Sequence, residues 1–318
     1  MARTKLSALA VGFLVTACAT SPTGRTQLML VSEQQAIGAS RQAYVQEMDK
    51  YRKAGKLVTD PRLLKRIEAI TGRLVAQAVK MRPETARWEW SVEVIDEPKT
   101  VNAWCMAGGR MAIYTGLIQK VDPTDAELAQ VMGHEIAHAL ANHTAERMSV
   151  AMASQVGVLA AGILLDQSAQ SMAATATAAQ LAVNLPNSRT AETEADRIGI
   201  ELAARAGFDP NAAVTLWKKM AAAGGGKAPP QFLSTHPDDT QRQQRLAALV
   251  PKMLPYYQAP GARPTHPVRV GTRAARSRQH LGSADHANPR RPWVPACCGL
   301  PPPGVMPCLR PRSHRLPP

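Results

Sequence analysis

The chain is poor in the residues that staple small folds. It has five cysteines in 318 residues, and three of them, Cys297, Cys298 and Cys308, sit in a proline-rich C-terminal stretch. With Cys18 set aside, the body keeps only Cys105. An intradomain disulfide and a thiolate zinc site are thereby excluded there. No apolar run approaches the roughly 20 residues that span a bilayer, and the mean hydropathy is -0.19. A polytopic membrane protein is excluded. Acidic residues are almost missing at one end: Gly261 to Pro318 holds ten Arg, one acid (Asp285), 12 of the 25 prolines and four of the eight histidines. The formal charge of +14 is therefore mainly a property of this tail, and a nucleic-acid partner is not expected. An apolar fraction of 45% excludes disorder throughout and suffices for a real core.

What is present begins with an address. Arg3 and Lys5 precede a short apolar stretch, Leu6 to Val15, and then Val15-Thr16-Ala17-Cys18. That order makes residues 1–17 a secretory signal. A Cys directly after Ala17 resembles a bacterial lipobox, with Cys18 as the lipidated first residue; the alternative is an ordinary signal with a chance Cys. Ala19, where an Asp would suggest inner-membrane retention, favours the outer membrane by the same resemblance. The expected location is the periplasm, lipid-anchored. Residues 259–318 read as a basic, Pro/Arg-rich disordered extension, which leaves 18–258 as one domain.

Within that domain Ser32 with Gln35 predicts a capping box and a helix to about Lys53. Asp60-Pro61 predicts another, with Leu64, Ile67, Ile70, Leu74 and Ala78 at helical spacing. Alternation over Trp88–Val94 reads as a half-buried strand. Val101–Met106 and Arg110–Thr115 read as a hairpin around Gly108-Gly109. Asp122-Pro123 is read as the cap of a helix reaching about His143. Later helices are expected over 191–206, after Asp209-Pro210, and from Asp238 to just before Pro251. A few strands among many helices give an α+β fold with a small sheet beside the His-bearing helix.

His134-Glu135-Ile136-Ala137-His138 is an H-E-x-x-H. On a helix its two imidazoles share one face and can reach a single ion at about 2.0–2.1 Å. Glu135, roughly 100° round the helix, is placed to hold a water beside that ion. A satisfied pair of surface histidines is the bland alternative. A catalytic zinc site needs a third protein ligand, and Glu192-Thr193-Glu194-Ala195-Asp196 supplies candidates. Glu192 can ligate, and Asp196, one turn on, can accept the second N–H of a ligating imidazole. Glu194 points elsewhere and is read as solvated. His236, before Pro237, can stabilise an oxyanion or close the open zinc position, and Arg242 can meet the same developing charge. His143 lies off the ligand face and is read as structural. Between the two motifs, 148–185 is Ala-rich, with an apolar run of only ten residues, Val156–Leu165. It is either core or dimer packing, or a lid over the cleft.

H-E-I-A-H, the later E-x-x-x-D, and H-P followed by Arg resemble peptidase family M48, which includes the HtpX proteases, the CAAX prenyl endopeptidases and the Oma-type proteases. The resemblance runs from about Gly24 to Tyr257 and is strongest to periplasmic, lipid-anchored members. It implies a zincin-like metalloprotease with one Zn²⁺ per chain, ligands His134, His138 and Glu192, Glu135 as general base, and Asp196 behind a ligating imidazole. It puts His236 and Arg242 at transition-state or switch positions, and makes Asn102, Ala103, Gly108 and Gly109 part of the edge strand on which substrate pairs. Ala107 departs from the family, which often has Pro there. The expected function is zinc-dependent endoproteolysis of unfolded or misassembled envelope proteins. The rival is a non-enzymatic, zinc-stabilised envelope chaperone or assembly factor closed by His236.

Overall fold

In the computed structural model, residues 18–164, 187–223, 231–236 and 241–271 are described. The signal segment 1–17, residues 165–186 of the proposed lid or core, and residues 272–318 of the tail lie outside them. The described chain opens with an antiparallel hairpin, β1 (Cys18–Thr20) and β2 (Thr26–Leu28), with Cys18 opposite Leu28. α1 (Glu33–Lys53) starts at the expected capping box, Ser32 and Gln35 exchanging side-chain and backbone hydrogen bonds. α2 (Pro61–Met81) follows its Asp60 cap with Pro61 in the first position. It buries Ile67, Ile70, Leu74, Val75 and Ala78. Each large side chain on that face contributes roughly 1.5–3 kcal/mol.

The central sheet contains β3 (Ser91–Ile95), β4 (Ala103–Met106), β5 (Arg110–Tyr114) and β6 (Arg269–Val270), in the order β4-β5-β3-β6. The β4–β5 hairpin forms as read, with Gly108 and Gly109 both at positive φ, 86° and 82°. A side chain at Gly109 would also strike the Trp90 ring, 2.6 Å from its Cβ. β3 differs from the half-buried strand expected: all five residues are buried. Parallel pairing to β5 and β6 makes it interior, and both faces are covered. Val92 and Val94 enter the main core beside α2, while Ile95 joins Tyr44 and Met48 of α1.

β6 corrects the domain boundary. Arg269 N–H donates to Trp90 and Gly271 N–H to Val92 at 3.1 and 3.0 Å, and Val268 is buried. The folded unit thus runs through Gly271, beyond the 258 that composition suggested. A two-residue strand inside a basic, proline-rich stretch leaves no compositional trace.

The remaining helices are α3 (Thr115–Val121), α4 (Asp125–Leu140), α5 (His143–Leu164), α6 (Arg189–Arg205), α7 (Ala212–Ala223), α8 (Gln231–Thr235) and α9 (Arg242–Gln258). The cap of α4 is not Asp122, which takes a left-handed conformation at φ 44° to close α3. Thr124 caps it instead, in a capping box with Glu127. α4 ends at Leu140, not His143, because Asn142 turns at φ 56° and a new helix begins. α9 does not stop before Pro251; it continues past Pro251 and Pro255. Both prolines face solvent, where water can serve the carbonyls they leave unpaired, while Leu246, Val250 and Met253 stay buried. No helix among the described residues is long and apolar enough to cross a membrane.

α4 is the centre of the fold, with every residue from Glu127 to Leu140 buried. α6 crosses it at two glycines: a Cβ at Gly199 would lie 2.8 Å from His134 N, and one at Gly133 2.9 Å from Gly199 O. Only backbone faces backbone there, so nothing can swing aside. Gly199→Ala is expected to lower stability by about 1–3 kcal/mol or more, read as a fall in the urea midpoint, and to weaken metal binding in step. An unchanged midpoint would show that the crossing has slack.

Candidate metal centre

The helix crossing brings the two sequence motifs together. His134 and His138 sit one turn apart on α4, their Nε2 atoms 3.0 Å from each other. Glu192 on α6 reaches both, with Oε2 3.2 Å from His134 Nε2 and Oε1 3.3 Å from His138 Nε2. His236, just after α8, places Nδ1 3.0 Å from Glu192 Oε1 and 3.2 Å from His134 Nε2. One ligand atom from each of these four lies within 4.8 Å of all the others. None of the four is more than 5% exposed, so the bland alternative of a surface histidine pair is overturned.

The donor set fits a metal ion on its proton inventory. Asp196 Oδ1 lies 3.0 Å from His134 Nδ1, so that nitrogen carries a ring proton; against burial, Glu192 and Asp196 hold the His134 pKa up at about 9, and an ion at Nε2 would take the place of the second proton. His138 Nδ1 is 2.7 Å from His143 Nδ1; His143 Nε2 faces the Glu194 carboxylate, so a neutral His143 accepts at Nδ1 and His138 donates there. Two bare ring nitrogens and a carboxylate then face one another, and Glu192 Oε2 is buried without a hydrogen-bond partner. Acceptors converging at this spacing suit a small cation held by N and O ligands. Burial pushes the His138 imidazole well below its ordinary pKa, against the pull of Glu192, which favours the neutral ring that binds metal.

Glu135 projects from the next position of α4 and is 2% exposed. Its Oε1 is 3.4 Å from His236 Nε2. Burial raises its pKa above the usual carboxylate value, opposed by the neighbouring His236 and His134. β4 is a sheet edge. Tyr114 N–H donates to Asn102 O, and the register from there turns the Ala103 and Cys105 peptide groups away from β5. The Asn102 side chain accepts the Ala103 N–H at 2.9 Å. The edge therefore runs directly beside Glu135, while Gly108 and Gly109 shape the turn at its end.

Arg242 lies in the centre but is not free to wait for a developing charge. Its Nη2 donates to Asp196 Oδ1 at 2.6 Å, and its guanidinium stacks 3.6 Å over the Trp217 ring. Nη1 is 3.3 Å from Glu192 Oε2, without hydrogen-bond geometry. Two readings need correction. Glu194 is not solvated: its side chain is 3% exposed and bonded to Ser21, Thr23, Arg25 and His143. His143 is not remote from the ligands, because the turn at Asn142 swings it back onto His138. Sequence reasoning also passed over Arg147 and Asn187, whose side chains meet at 2.7 Å, with Asn187 Nδ2 3.4 Å from His236 Nδ1. No motif marks that pair.

Comparison with known proteins agrees with the geometry. The chain is 37% identical to the mitochondrial metalloendopeptidase OMA1 of Schizosaccharomyces pombe over 193 residues, 60% of this chain and 52% of that one. It is 32% identical to the Arabidopsis thaliana OMA1 over 70% of this chain and 46% of the relative. To the beta-barrel assembly-enhancing protease of Yersinia pestis it is 32% identical, over 61% and 40% respectively. The chain spans about half the length of the OMA1 relatives it matches. A family model for Peptidase family M48 matches residues 61–250, a span that includes His134, Glu135, His138, Glu192, Asp196, His236 and Arg242, and the chain belongs to peptidase family M48.

Proposed function

We propose that the chain is a zinc-dependent endopeptidase of the bacterial envelope acting on unfolded or misassembled proteins. The observation that carries the reading is the meeting of His134, His138 and Glu192 around one point, with Glu135 between that point and the edge strand β4. A bound zinc ion would polarise the scissile carbonyl and lower the pKa of water to about 7. His134, His138 and Glu192 would hold the ion, Asp196 fixes the His134 tautomer, and Arg242 holds Asp196 in place. Glu135 takes the proton of the attacking water and passes it to the leaving amine. An extended substrate adds to β4 by main-chain pairing, displacing the Asn102 side chain from the Ala103 N–H. That mode reads backbone more than side chains and suits unfolded chains.

The envelope assignment draws on the beta-barrel assembly-enhancing proteases among the relatives, whereas the OMA1 relatives are mitochondrial. Cys18 is exposed at the start of β1, which suits lipidation and an outer-membrane anchor. The test is zinc content together with cleavage of unfolded casein by a chain running from Cys18 to residue 274. One zinc per chain with EDTA-sensitive cleavage is expected; stoichiometric zinc without cleavage would favour the chaperone reading.

His236 supports a latent resting state. With it, the centre has four donors and a general base that is 2% exposed, and a catalytic zinc site needs one position free. His236→Ala is expected to raise casein turnover several-fold, measured at saturating zinc. A lower turnover would instead assign His236 to the oxyanion.

A further inference from the structure

The ligand His138 is supported by a chain of hydrogen bonds that leaves the metal centre and ends in the N-terminal hairpin. Its Nδ1 meets His143 Nδ1 at 2.7 Å, and His143 Nε2 lies 3.2 Å from Glu194 Oε2. Glu194 is closed off by the Ser21 hydroxyl, by Thr23 Oγ1 at 2.5 Å and by Arg25 Nε at 2.7 Å. The two Nη atoms of Arg25 in turn fork onto Glu146, each at 2.6 Å. His143 is 1% exposed and Glu194 5%.

The protons in this chain can be ordered in only one way once Nε2 of His138 faces a metal. Its ring proton is then on Nδ1 and is donated to His143 Nδ1. His143 must therefore carry its own proton on Nε2, which it donates to Glu194. Glu194, an acceptor only, receives every other bond from the hairpin. A carboxylate at the end of such a chain fixes ring orientation and raises the basicity of the ligand, as carboxylates behind metal-bound imidazoles do.

We propose that His143 and Glu194, clamped by the β1–β2 hairpin, are positioning residues that fix the tautomer and orientation of His138. The proposal rests on the metal-centre reading above. It makes the segment that follows Cys18 a working part of the site, since unseating Arg25 loosens Glu194 and so His143. Spacing along the helix cannot reveal this, because the turn at Asn142 and a carboxylate from α6 are both needed.

The test compares zinc affinity, by chelator competition, and the visible spectrum of the cobalt-substituted protein for wild type, His143→Phe, His143→Gln and Arg25→Met. The Phe ring can neither accept from His138 nor donate to Glu194, and affinity is expected to fall about 10–100-fold with shifted cobalt bands. Glutamine offers one acceptor and one donor, and should rescue most of the loss. Arg25 is 21% exposed and can be changed without opening the core, so Arg25→Met keeps the test available should the Phe variant not fold; a loss of several-fold is expected. The proposal is overturned if wild type takes one zinc per chain and all variants match it, or if Gln is as weak as Phe. If wild type itself takes no zinc, the metal-centre reading falls, and this proposal with it.

Discussion

Glu135→Gln is expected to keep one zinc ion per chain and to lose about 10²–10⁴-fold in kcat. The amide has the shape of the carboxylate and fits the same buried position. It cannot take a proton from water. Since Glu135 is one residue round the helix from the ligand face, the proposed metal ligands His134, His138 and Glu192 are untouched. Zinc content with peptide turnover measures both halves. The same variant separates the two classes of function in cells: a chaperone should complement fully with Gln at this position, and a peptidase should not. Near-normal turnover in vitro would remove Glu135 from its role as base.

Glu192→Ala should abolish stoichiometric zinc, with affinity lower by more than about 100-fold, since a lost ligand costs at least as much as a lost supporting residue. The remaining ring nitrogens supply no negative charge to the ion, and His236 would be left as a third nitrogen donor. Glu192 also balances Arg242 Nη1 at 3.3 Å, so its removal leaves a 1%-exposed guanidinium with Asp196 as its carboxylate partner. Zinc retained at one per chain in this variant would mean that His236, and not Glu192, completes the ligand set.

Features written in adjacent residues were legible from the sequence. Ser32 with Gln35, Asp60 before Pro61 and the Gly108-Gly109 turn each carry their own geometry, and H-E-x-x-H needs only a helix to become half a metal site. That Glu192 and Asp196 lie against the two imidazoles was legible once a third carboxylate or imidazole was sought. The errors share a cause. Helical angle counting from His138 placed His143 off the site because one left-handed residue, Asn142 at φ 56°, resets the count. Glu194 looked solvated because its neighbours in α6 say nothing of a hairpin 170 or so residues earlier in the chain. Pro251 looked like a helix end, yet a proline on the solvent face removes a hydrogen bond that water replaces. The glycines that let α4 and α6 touch carry no signature at all, since Gly133 and Gly199 matter only where the two backbones cross.

The most direct test is an anomalous difference map at the zinc absorption edge from crystals of the zinc-loaded chain. The peptidase reading predicts a single peak within about 2.0–2.2 Å of His134 Nε2, His138 Nε2 and a Glu192 oxygen. A peak elsewhere, or one bound by the imidazoles with Glu192 out of reach, would contradict it.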